Sequence, residues 1–276
     1  MSATNQNSIQ ITARKRKLWT IRGYLNRREF LFFAAIGLIT PFVGWWLLAN
    51  SGVMDKVFLP SPMDVLTRVY HWFEDDNLMG DAWISIYRVT VGFLMSAVIA
   101  VPLGVMIGTY RPMQALFEPL TDFIRSMPAV AFIPLVMLWV GIDEGSKIAI
   151  IWIGTFFQMV LMVAEDIRRV PMAQIEAAQT MGAGSEEIVS LVVFQSAKPA
   201  LLDTMRITMG WAWTYLVVAE MVAANSGLGY AILKAQRFLQ TDKIFAGIIL
   251  IGLIGLVMDQ LFRLLHRKSF PWLYNK

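Results

Sequence analysis

The sequence contains no cysteine and only two histidines among its 276 residues. Disulfide bonds and thiolate metal sites are therefore excluded, and His71 and His266 are too few for a histidine-rich site. No Gly-x-x-x-x-Gly-Lys-Ser/Thr motif for nucleotide phosphates occurs. The run nearest to it, at residues 141–147, has the wrong spacing. We therefore expect neither nucleotide hydrolysis nor a bound cofactor in this chain.

Charged residues are missing from several long stretches. Hydrophobic residues make up 57% of the chain and the mean hydropathy is +0.55, whereas soluble domains are about 45–50% apolar. A helix needs about 20 residues to cross a bilayer core, while a β-barrel needs alternating segments of about ten. The sequence therefore predicts an all-α integral membrane protein of about six transmembrane helices, at residues 30–49, 89–110, 126–142, 148–164, 207–224 and 244–265. The first is too long for a cleavable signal peptide, which predicts a retained anchor.

The distribution of charge predicts the orientation, because basic residues of short loops stay in the cytoplasm. Basic residues cluster before the first span and at the carboxyl end of the chain, at Arg14, Lys15, Arg16, Lys17, Arg22, Arg27, Arg28, Arg263, Arg267 and Lys268. The loop after the first span is acidic, with Glu74, Asp75, Asp76 and Asp81. We therefore expect a multi-pass protein of the bacterial inner membrane with both termini in the cytoplasm. The net charge of +4 needs no nucleic-acid partner.

Three regions are predicted along the chain. Residues 1–29 form a basic cytoplasmic or interfacial segment, in which residues 14–30 have the pattern of an amphipathic helix. Residues 30–268 form the transmembrane domain, which contains a polar loop at 168–199, and residues 269–276 form a cytoplasmic tail. After the first span, Ser61 and Pro62 are typical of a helix start, so residues 63–73 are predicted to lie along the outer membrane surface. His71 in this helix is expected to be an exposed surface histidine.

The polar loop at 168–199 is patterned as two short helices. Pro171 suits the first turn of a helix, and Gly182 and Gly184 suit its end, where a positive φ is needed. Ser185 then offers a hydroxyl cap for a second helix that leads back to the membrane.

The first helix of this loop presents Ala173, Ala177 and Ala178 beside Glu176. Such a face of small side chains can enter a groove of another protein closely. The alternative is a helical hairpin that packs only on its own bundle.

Glu176-Ala177-Ala178, followed after three residues by Gly182, resembles the EAA loop of ABC-importer permeases. The resemblance implies that Glu176, Ala177, Ala178 and Gly182 form a coupling helix that docks on a cytoplasmic ATPase. The family pattern continues as Ile-x-Leu-Pro, for which this chain has Val192-Val193-Phe194-Gln195 and so lacks the proline.

Further motifs extend the resemblance over nearly the whole chain. Leu59-Pro60-Ser61-Pro62, the run RSMPAVAFIP at 125–134, and Val218-Ala219-Glu220-Met221 before Gly227-Leu228-Gly229 resemble nitrate/sulfonate/taurine/bicarbonate-type permeases. This implies an ABC type I importer permease that is itself no enzyme, passes a small anion or zwitterion, and is surrounded by membrane lipid. The implied partners are a second copy in a homodimer, two ATPase subunits that hold ATP and Mg, and an extracytoplasmic binding protein.

Polar residues within the spans are candidates for the translocation path, because a charge at a helix centre costs about 2.5–3.5 kcal/mol on insertion scales. Arg206 and Glu220 lie about 40° apart around one helix and about 21 Å apart along it. Gly210, Trp213 and Val217 complete this stripe. We expect it to face a polar pathway or a dimer seam, or else Arg206 pairs with a neighbour, Asp203 for instance.

The third span contains Pro128 and Pro134, which break a helix and free backbone carbonyls. Such irregular backbone is tolerated only against protein or a water-filled cavity. Arg125 before the break either attracts an anion or anchors the span, and Gln158 either lines the path or bonds a neighbouring helix. The candidates for the path are thus Arg125, Met127, Pro128, Gln158, Arg206, Trp213 and Glu220.

Two weaker patterns concern packing. Gly104 and Gly108 form a GxxxG pattern that permits close helix approach, and Asp259 and Arg263 are spaced to form an ion pair.

An ion-gradient-driven secondary transporter is the alternative from another class. It is usually built from inverted repeats with more than six spans, and this sequence has no convincing internal repeat. A membrane-embedded enzyme is disfavoured because no paired carboxylates or clustered histidines lie within the spans.

Overall fold

The computed structural model describes residues 25–274, apart from the side chains of Asp75 and Ala223. Within this range the regular structure is entirely helical. The chain divides into two compact units, which meet between Met54 and Asp55. The first contains helix α1, Arg27–Asn50, which at 24 residues is long and apolar enough to cross a bilayer. The amphipathic helix expected at residues 14–30 falls largely outside the described residues, and the domain boundaries at 29 and 268 stay predictions.

The second unit contains the remaining helices. They are α2 Pro62–Asp75, α3 Leu78–Thr109, α4 Arg111–Arg125, a 3-10 turn Ala129–Phe132, α5 Ile133–Val140, α6 Glu144–Arg168, α7 Met172–Thr180, α8 Ser185–Glu187, a π-helical turn Ile188–Val193, α9 Phe194–Ala223, α10 Leu228–Arg237, α11 Thr241–Ser269 and a 3-10 turn Pro271–Leu273. Together with α1, the helices α3, α6 and α11 and the continuous stretch Ser185–Val222 give five helices long and apolar enough to span a membrane.

The sixth predicted span is bent. Helix α4 meets the segment Ala129–Val140 at 88°, and the count of six spans holds only if this pair is one crossing. Pro128 precedes the 3-10 turn and Pro134 lies in the first turn of α5, so the break falls where the prolines predict it. The span predicted at 126–142 is accordingly not one continuous helix, because the 3-10 turn and α5 contain only 4 and 8 residues. Helix α5 then ends at Gly141, whose φ is 93°.

Helix α2 begins as the sequence predicts. The Ser61 hydroxyl accepts the Asp64 amide at 3.3 Å, and Pro62 is the first helical residue. One side of α2 is buried through Val65 and Trp72 and packs on α11, while His71 is exposed as expected.

Ion pairs add to the contact between α2 and α11. The Lys243 ammonium lies 4.8 Å from the centre of the Trp72 ring and donates to Asp76 at 2.6 Å. This bond holds the pKa of the Asp76 carboxyl below its usual value. Arg68 pairs with Asp242 at 2.8 Å.

Helices α3 and α6 pack most closely of all, and glycines make this possible. A Cβ at Gly104 would lie 2.6 Å from a Val163 methyl, and a Cβ at Gly108 would lie 2.6 Å from Ile167. A Cβ at Gly92 would likewise lie 2.9 Å from Ile151. The GxxxG prediction is confirmed, and the seam extends further than the motif. Helix α9 completes the core against α6.

A buried ion-pair network joins one end of these three helices. The Arg88 side chain on α3 is completely buried and donates through Nη1 to Glu220 of α9 at 2.7 Å. Its Nε and Nη2 donate to the two Glu144 oxygens of α6 at 2.6 and 2.7 Å. Glu144 also accepts the Lys147 ammonium at 2.9 Å. Because buried charges are stable only when paired and hydrogen-bonded, this network holds the three helix ends together.

Glu220 is the centre of the network. Its carboxylate is fully buried and accepts Ser85 Oγ at 2.7 and 3.0 Å in addition to Arg88. The backbone amide of Gly229 donates to its other oxygen at 2.8 Å. The carboxylate thus accepts hydrogen bonds from two side chains of α3, Ser85 and Arg88, and from the Gly229 amide at the start of α10.

The same network fixes the turn between α9 and α10. Arg88 Nη1 donates to the Ser226 carbonyl at 2.8 Å, and the Gly227 amide donates to Asp81 at 2.9 Å. Gly227 has a φ of 109°, and a Cβ there would lie 2.3 Å from a Glu220 oxygen. Only glycine fits this position, because any other residue would have a strained backbone at this φ and a Cβ that clashes with the Glu220 carboxylate.

Gly104→Val tests the seam between α3 and α6. The new methyl groups would meet Val163 and the Val160 carbonyl, and we expect the free energy of unfolding to fall by about 1–3 kcal/mol through overpacking. Thermal unfolding in detergent measures this change. Gly252→Val on α11 is the control, because a Cβ there has no atom within 4 Å. Equal losses in the two variants would contradict close packing at Gly104.

Glu220→Gln tests the ion-pair network. The substitution keeps the volume but leaves the buried Arg88 with one charged partner, and we expect a loss of stability on the order of 3 kcal/mol. Glu165→Gln is the control, because this half-exposed carboxylate pairs only at the surface and contributes about 0–1 kcal/mol. Chemical unfolding of both variants is the measurement, and a Glu220→Gln protein as stable as the control would refute the role of the network.

Candidate functional site

The polar loop at 168–199 forms the predicted pair of helices around a tight turn. Helix α7 ends in Gly182, whose φ is 84°. The Gly182 amide donates to the Gln179 carbonyl at 3.0 Å, and the Ala183 amide donates to the Ala178 carbonyl at 3.1 Å. This pair of bonds is the Schellman arrangement, which requires the left-handed conformation at the glycine. The prediction for Gly182 is confirmed.

The second helix of the loop, α8, does not begin with the cap that the sequence predicts. Gly184 has a φ of −73° and is itself the N-cap residue, so a positive φ there is wrong. Ser185 is the first helical residue, and its predicted capping role is also wrong. The Glu187 carboxylate instead accepts the Gly184 amide at 2.9 Å, because an acid at the third helical position can reach back to the cap. Beyond the π-helical turn, the chain runs without interruption into α9.

The two faces of α7 are unlike. Ala178 is only 4% exposed and packs into the core, so it does not belong to the outward face on which the sequence placed it. Glu176, Ala177 and Gly182 are exposed, as is Ala173 one turn earlier.

Two methionines flank the outward face of α7. Met172 is 60% and Met181 80% exposed. The outward surface therefore has small side chains and one carboxylate at its centre, and a flexible apolar methionine at each end. We call this set (Met172, Ala173, Glu176, Ala177 and Met181) the α7 face.

The loop is fixed to the helices from which it leaves. Ser196 Oγ donates to Gln174 Oε1 at 2.7 Å, and Arg168 pairs with Glu118 of α4 at 3.1 Å. A cavity of ≈ 660 Å³ lies behind the loop, between α7 and the adjoining ends of α3 and α6. The hairpin thus has a defined orientation, and a cavity separates part of it from the ends of α3 and α6.

Three of the path candidates meet at the break between α4 and α5. Arg125, Met127 and Gln158 line one cavity of ≈ 50 Å³, and Pro128 lies in the chain beside them. The prediction that the proline break adjoins a cavity is confirmed at this position.

Two aromatic residues in this cavity were missed by the sequence analysis. Trp211 and Tyr215 of α9 lie on the cavity wall, and the Tyr215 ring fits against α6 because Gly154 has no side chain. A Cβ at Gly154 would lie 2.4 Å from the ring. The spacing of four residues between Trp211 and Tyr215 was the available signal, since it places both on one helix face.

Arg125 joins this cavity to a charged vestibule. The vestibule is ≈ 380 Å³, shares Arg125 and Gln158 with the cavity, and has walls of mixed charge from Glu118, Asp122, Glu165, Asp166, Arg168 and Arg169. Arg125 Nε donates to Asp122 at 2.8 Å. Within residues 25–274, neither terminal nitrogen of Arg125 donates a hydrogen bond, and the ion pair with Asp122 is made through Nε. These two nitrogens remain available to an anion.

The other three path candidates lie elsewhere. Arg206 pairs with Asp203 and Asp259, each at 3.4 Å, which confirms the alternative of a neighbouring partner. Trp213 is buried in the core, on a different face of α9 from Trp211 and Tyr215. Glu220 is enclosed in the ion-pair network.

The expected stripe from Arg206 to Glu220 therefore does not line one open surface, because it turns into the core at Trp213 and Glu220. The predicted pair of Asp259 and Arg263 is present at 2.7 Å.

Comparison with known proteins identifies the family. Residues 100–270 match the family described as "Binding-protein-dependent transport system inner membrane component". A probable ABC transporter permease of Brucella melitensis is 37% identical over 229 residues, which cover 83% of this chain and 92% of that protein. The putative aliphatic sulfonates transport permease SsuC of Bacillus subtilis is 35% identical, with 86% of this chain and 87% of that protein covered. The taurine transport system permease TauC of Escherichia coli is 30% identical, with 83% and 85% covered.

A solved structure shares the fold. The inward-facing MetNI methionine ABC transporter contains a chain that aligns with a TM-score of 0.56 at 23% identity, covering 67% of this chain and 94% of that one. The helical bundle therefore has the fold of an importer permease, and the chain belongs to the binding-protein-dependent transport system inner membrane components, the membrane-spanning permease subunits of ABC importers.

Proposed function

We propose that this permease passes a small anion or zwitterion of the sulfonate, taurine, nitrate or bicarbonate class. The observation that carries the proposal is Arg125, whose two terminal guanidinium nitrogens donate no hydrogen bond within residues 25–274 and which lines both the small cavity and the vestibule. A guanidinium fork matches the paired oxygens of a sulfonate, nitrate or bicarbonate. Relatives named for aliphatic sulfonates, taurine and nitrate support the same class.

The proposed path is completed by a second copy of the chain. Trp211 is more than a third exposed beside the cavity, and a Cβ at the neighbouring Gly210 would have no atom within 4 Å. A cavity of ≈ 50 Å³ is too small to be a whole route. A homodimer that pairs these faces would enclose the route between two copies of Arg125, Trp211 and Tyr215.

The proposed motor is a pair of cytoplasmic ATPase subunits that hold ATP and Mg²⁺ and bind the α7 face. Small side chains at the centre of that face let another backbone approach, and exposed methionines adapt their shape to a partner groove. Glu176 supplies one charge for orientation. An extracytoplasmic binding protein delivers the substrate at the opposite end, and both termini lie in the cytoplasm.

Glu176→Lys tests the coupling role. Glu176 is exposed and makes no hydrogen bond or ion pair within residues 25–274, so we expect normal expression. We expect uptake to fall at least about tenfold, because a lysine at this position would face a positive charge of the partner that Glu176 pairs with. The measurement is substrate-stimulated ATPase activity and uptake by the reconstituted complex. Glu186→Lys is the control, since it reverses an exposed charge on the other arm. Full uptake by the Glu176→Lys complex would remove Glu176 from the coupling surface.

A second variant separates docking from charge. Ala177→Trp adds bulk to the exposed centre of the α7 face, and we expect it to reduce co-purification of the ATPase subunit. Ala178→Trp is not equivalent, because Ala178 is buried and its replacement disrupts the fold.

Arg125→Gln tests the anion route. We expect uptake to fall about tenfold or more, because a hydrogen bond to a charged group contributes about 1.5–3 kcal/mol, while Arg125→Lys retains part of the activity. Arg263→Gln removes an exposed cation of α11 that lies outside both cavities and is the control. Uptake assays with sulfonate, nitrate and an uncharged solute complete the test. Arg125→Gln with the rate of the control would exclude Arg125 from the path.

A further inference from the structure

A separate apolar groove lies between α9 and α11, at the end of the bundle that carries the α7 hairpin. It has a volume of ≈ 240 Å³, and its walls include Leu201 and Met205 of α9 and Leu265 of α11. Only two of its lining residues are polar, Lys198 and Ser269. The groove takes no part in the proposed coupling surface or in the cavity at Arg125.

Both polar residues of the groove lie toward its end near the α7 hairpin, where Phe194 and Phe270 also line it. Lys198 precedes Met205 by seven residues, which is about 10 Å along a helix. Ser269 is the last residue of α11, four residues beyond Leu265. The groove therefore has one cation, Lys198, and one hydroxyl, Ser269, toward the end of the bundle, and leucine and methionine side chains extend from there toward the bilayer centre.

Lys198 has no charged partner in the part of the chain that the structure describes. Its ammonium lies 5.5 Å from the centre of the Phe194 ring and makes no ion pair within residues 25–274. On the two helices that form the groove, the carboxylates of Asp203 and Asp259 are both bound to Arg206. A half-buried lysine beside an apolar groove leaves one positive charge to be neutralised from outside the chain.

We propose that this groove binds one acyl chain of an anionic glycerophospholipid, whose phosphate pairs with Lys198. An acyl chain fits the narrow apolar interior, whereas a protein helix, with a diameter of about 10–12 Å, does not. Basic pockets between transmembrane helices on the cytoplasmic side are typical sites for anionic headgroups. The Ser269 hydroxyl provides a second hydrogen bond to the phosphate or the glycerol. The site depends on the membrane spans alone and not on the substrate or the coupling role.

The test is photolabelling of the full-length protein in nanodiscs of phosphatidylethanolamine that contain a small fraction of phosphatidylglycerol with a photoreactive acyl chain. We expect mass spectrometry to locate the label on the groove segments around residues 198–205 and 265–270. Excess unlabelled phosphatidylglycerol is expected to compete, and excess phosphatidylcholine is not. Labelling that is spread evenly over the lipid-facing helices would overturn the proposal, as would equal competition by both lipids.

Two variants and a matched control make the test specific. Lys198→Gln is expected to reduce labelling of the groove by about fivefold, the factor for one lost cation–lipid attraction. Leu265→Trp is expected to reduce it by filling the groove while every charge is retained. Lys268→Gln removes an exposed cation of the same helix end that does not line the groove, and labelling should change little.

Equal reductions in Lys198→Gln and Lys268→Gln would mean general attraction to a basic surface and would overturn the site. A zero-length cross-link from Lys198 to another protein segment in place of lipid labelling would also overturn it. Because the labelling needs neither transport nor ATP, a failure here leaves the proposed function untouched, and a failure of the proposed function leaves this result untouched.

Discussion

The structure depends on one constraint above all, which is that a charge buried among membrane helices must be neutralised by the chain itself. Arg88 and Glu220 are both without solvent exposure, and they lie 132 residues apart in the chain. Neither could be buried alone, because an unpaired ion in a medium of low polarity is far more costly than a paired one. Their pairing therefore sets where α3, α6 and α9 meet, and it fixes the sharp turn at Gly227 that ends α9.

The same helices connect this network to the opposite end of the protein. Helix α6 has Glu144 in its first turn and Arg168 in its last, immediately before the α7 hairpin. The stretch from Ser185 to Val222 begins in the hairpin and ends beside Glu220. These two helices pack against each other, and α6 also packs against α3 at Gly104 and Gly108, where the absence of a side chain lets the helices approach closely. Close packing of this kind resists continuous deformation, so a displacement of the hairpin would move these helices as rigid bodies.

What the sequence predicts well is local. The turn at Gly182, the cap at Ser61, the break at Pro128 and the GxxxG seam each depend on the conformational limits of one or two residues, which the sequence states directly. The ion-pair network is of another kind. Nothing near Arg88 in the chain identifies Glu144 or Glu220 as its partner, so α3 was predicted to begin at residue 89, after the charges it in fact contains. The prediction of which face of α9 lines the path was wrong for a related reason. Trp211 and Trp213 are equally plausible path residues until it is known which face of the helix packs in the core.

The contrast between Glu220 and Arg125 shows why an intramembrane charge is ambiguous in sequence alone. Both are charged groups in or beside spans, and both fit the general expectation that such groups face protein or water. Glu220 is saturated, since Arg88, Ser85 and the Gly229 amide occupy its oxygens and no surface remains for a substrate. Arg125 has a single partner through Nε and retains two donors at the edge of a cavity. Hydrogen-bond capacity that the fold leaves unused separates a residue that can meet a ligand from one that holds the helices together, and this criterion supports the proposal that the anion route passes Arg125.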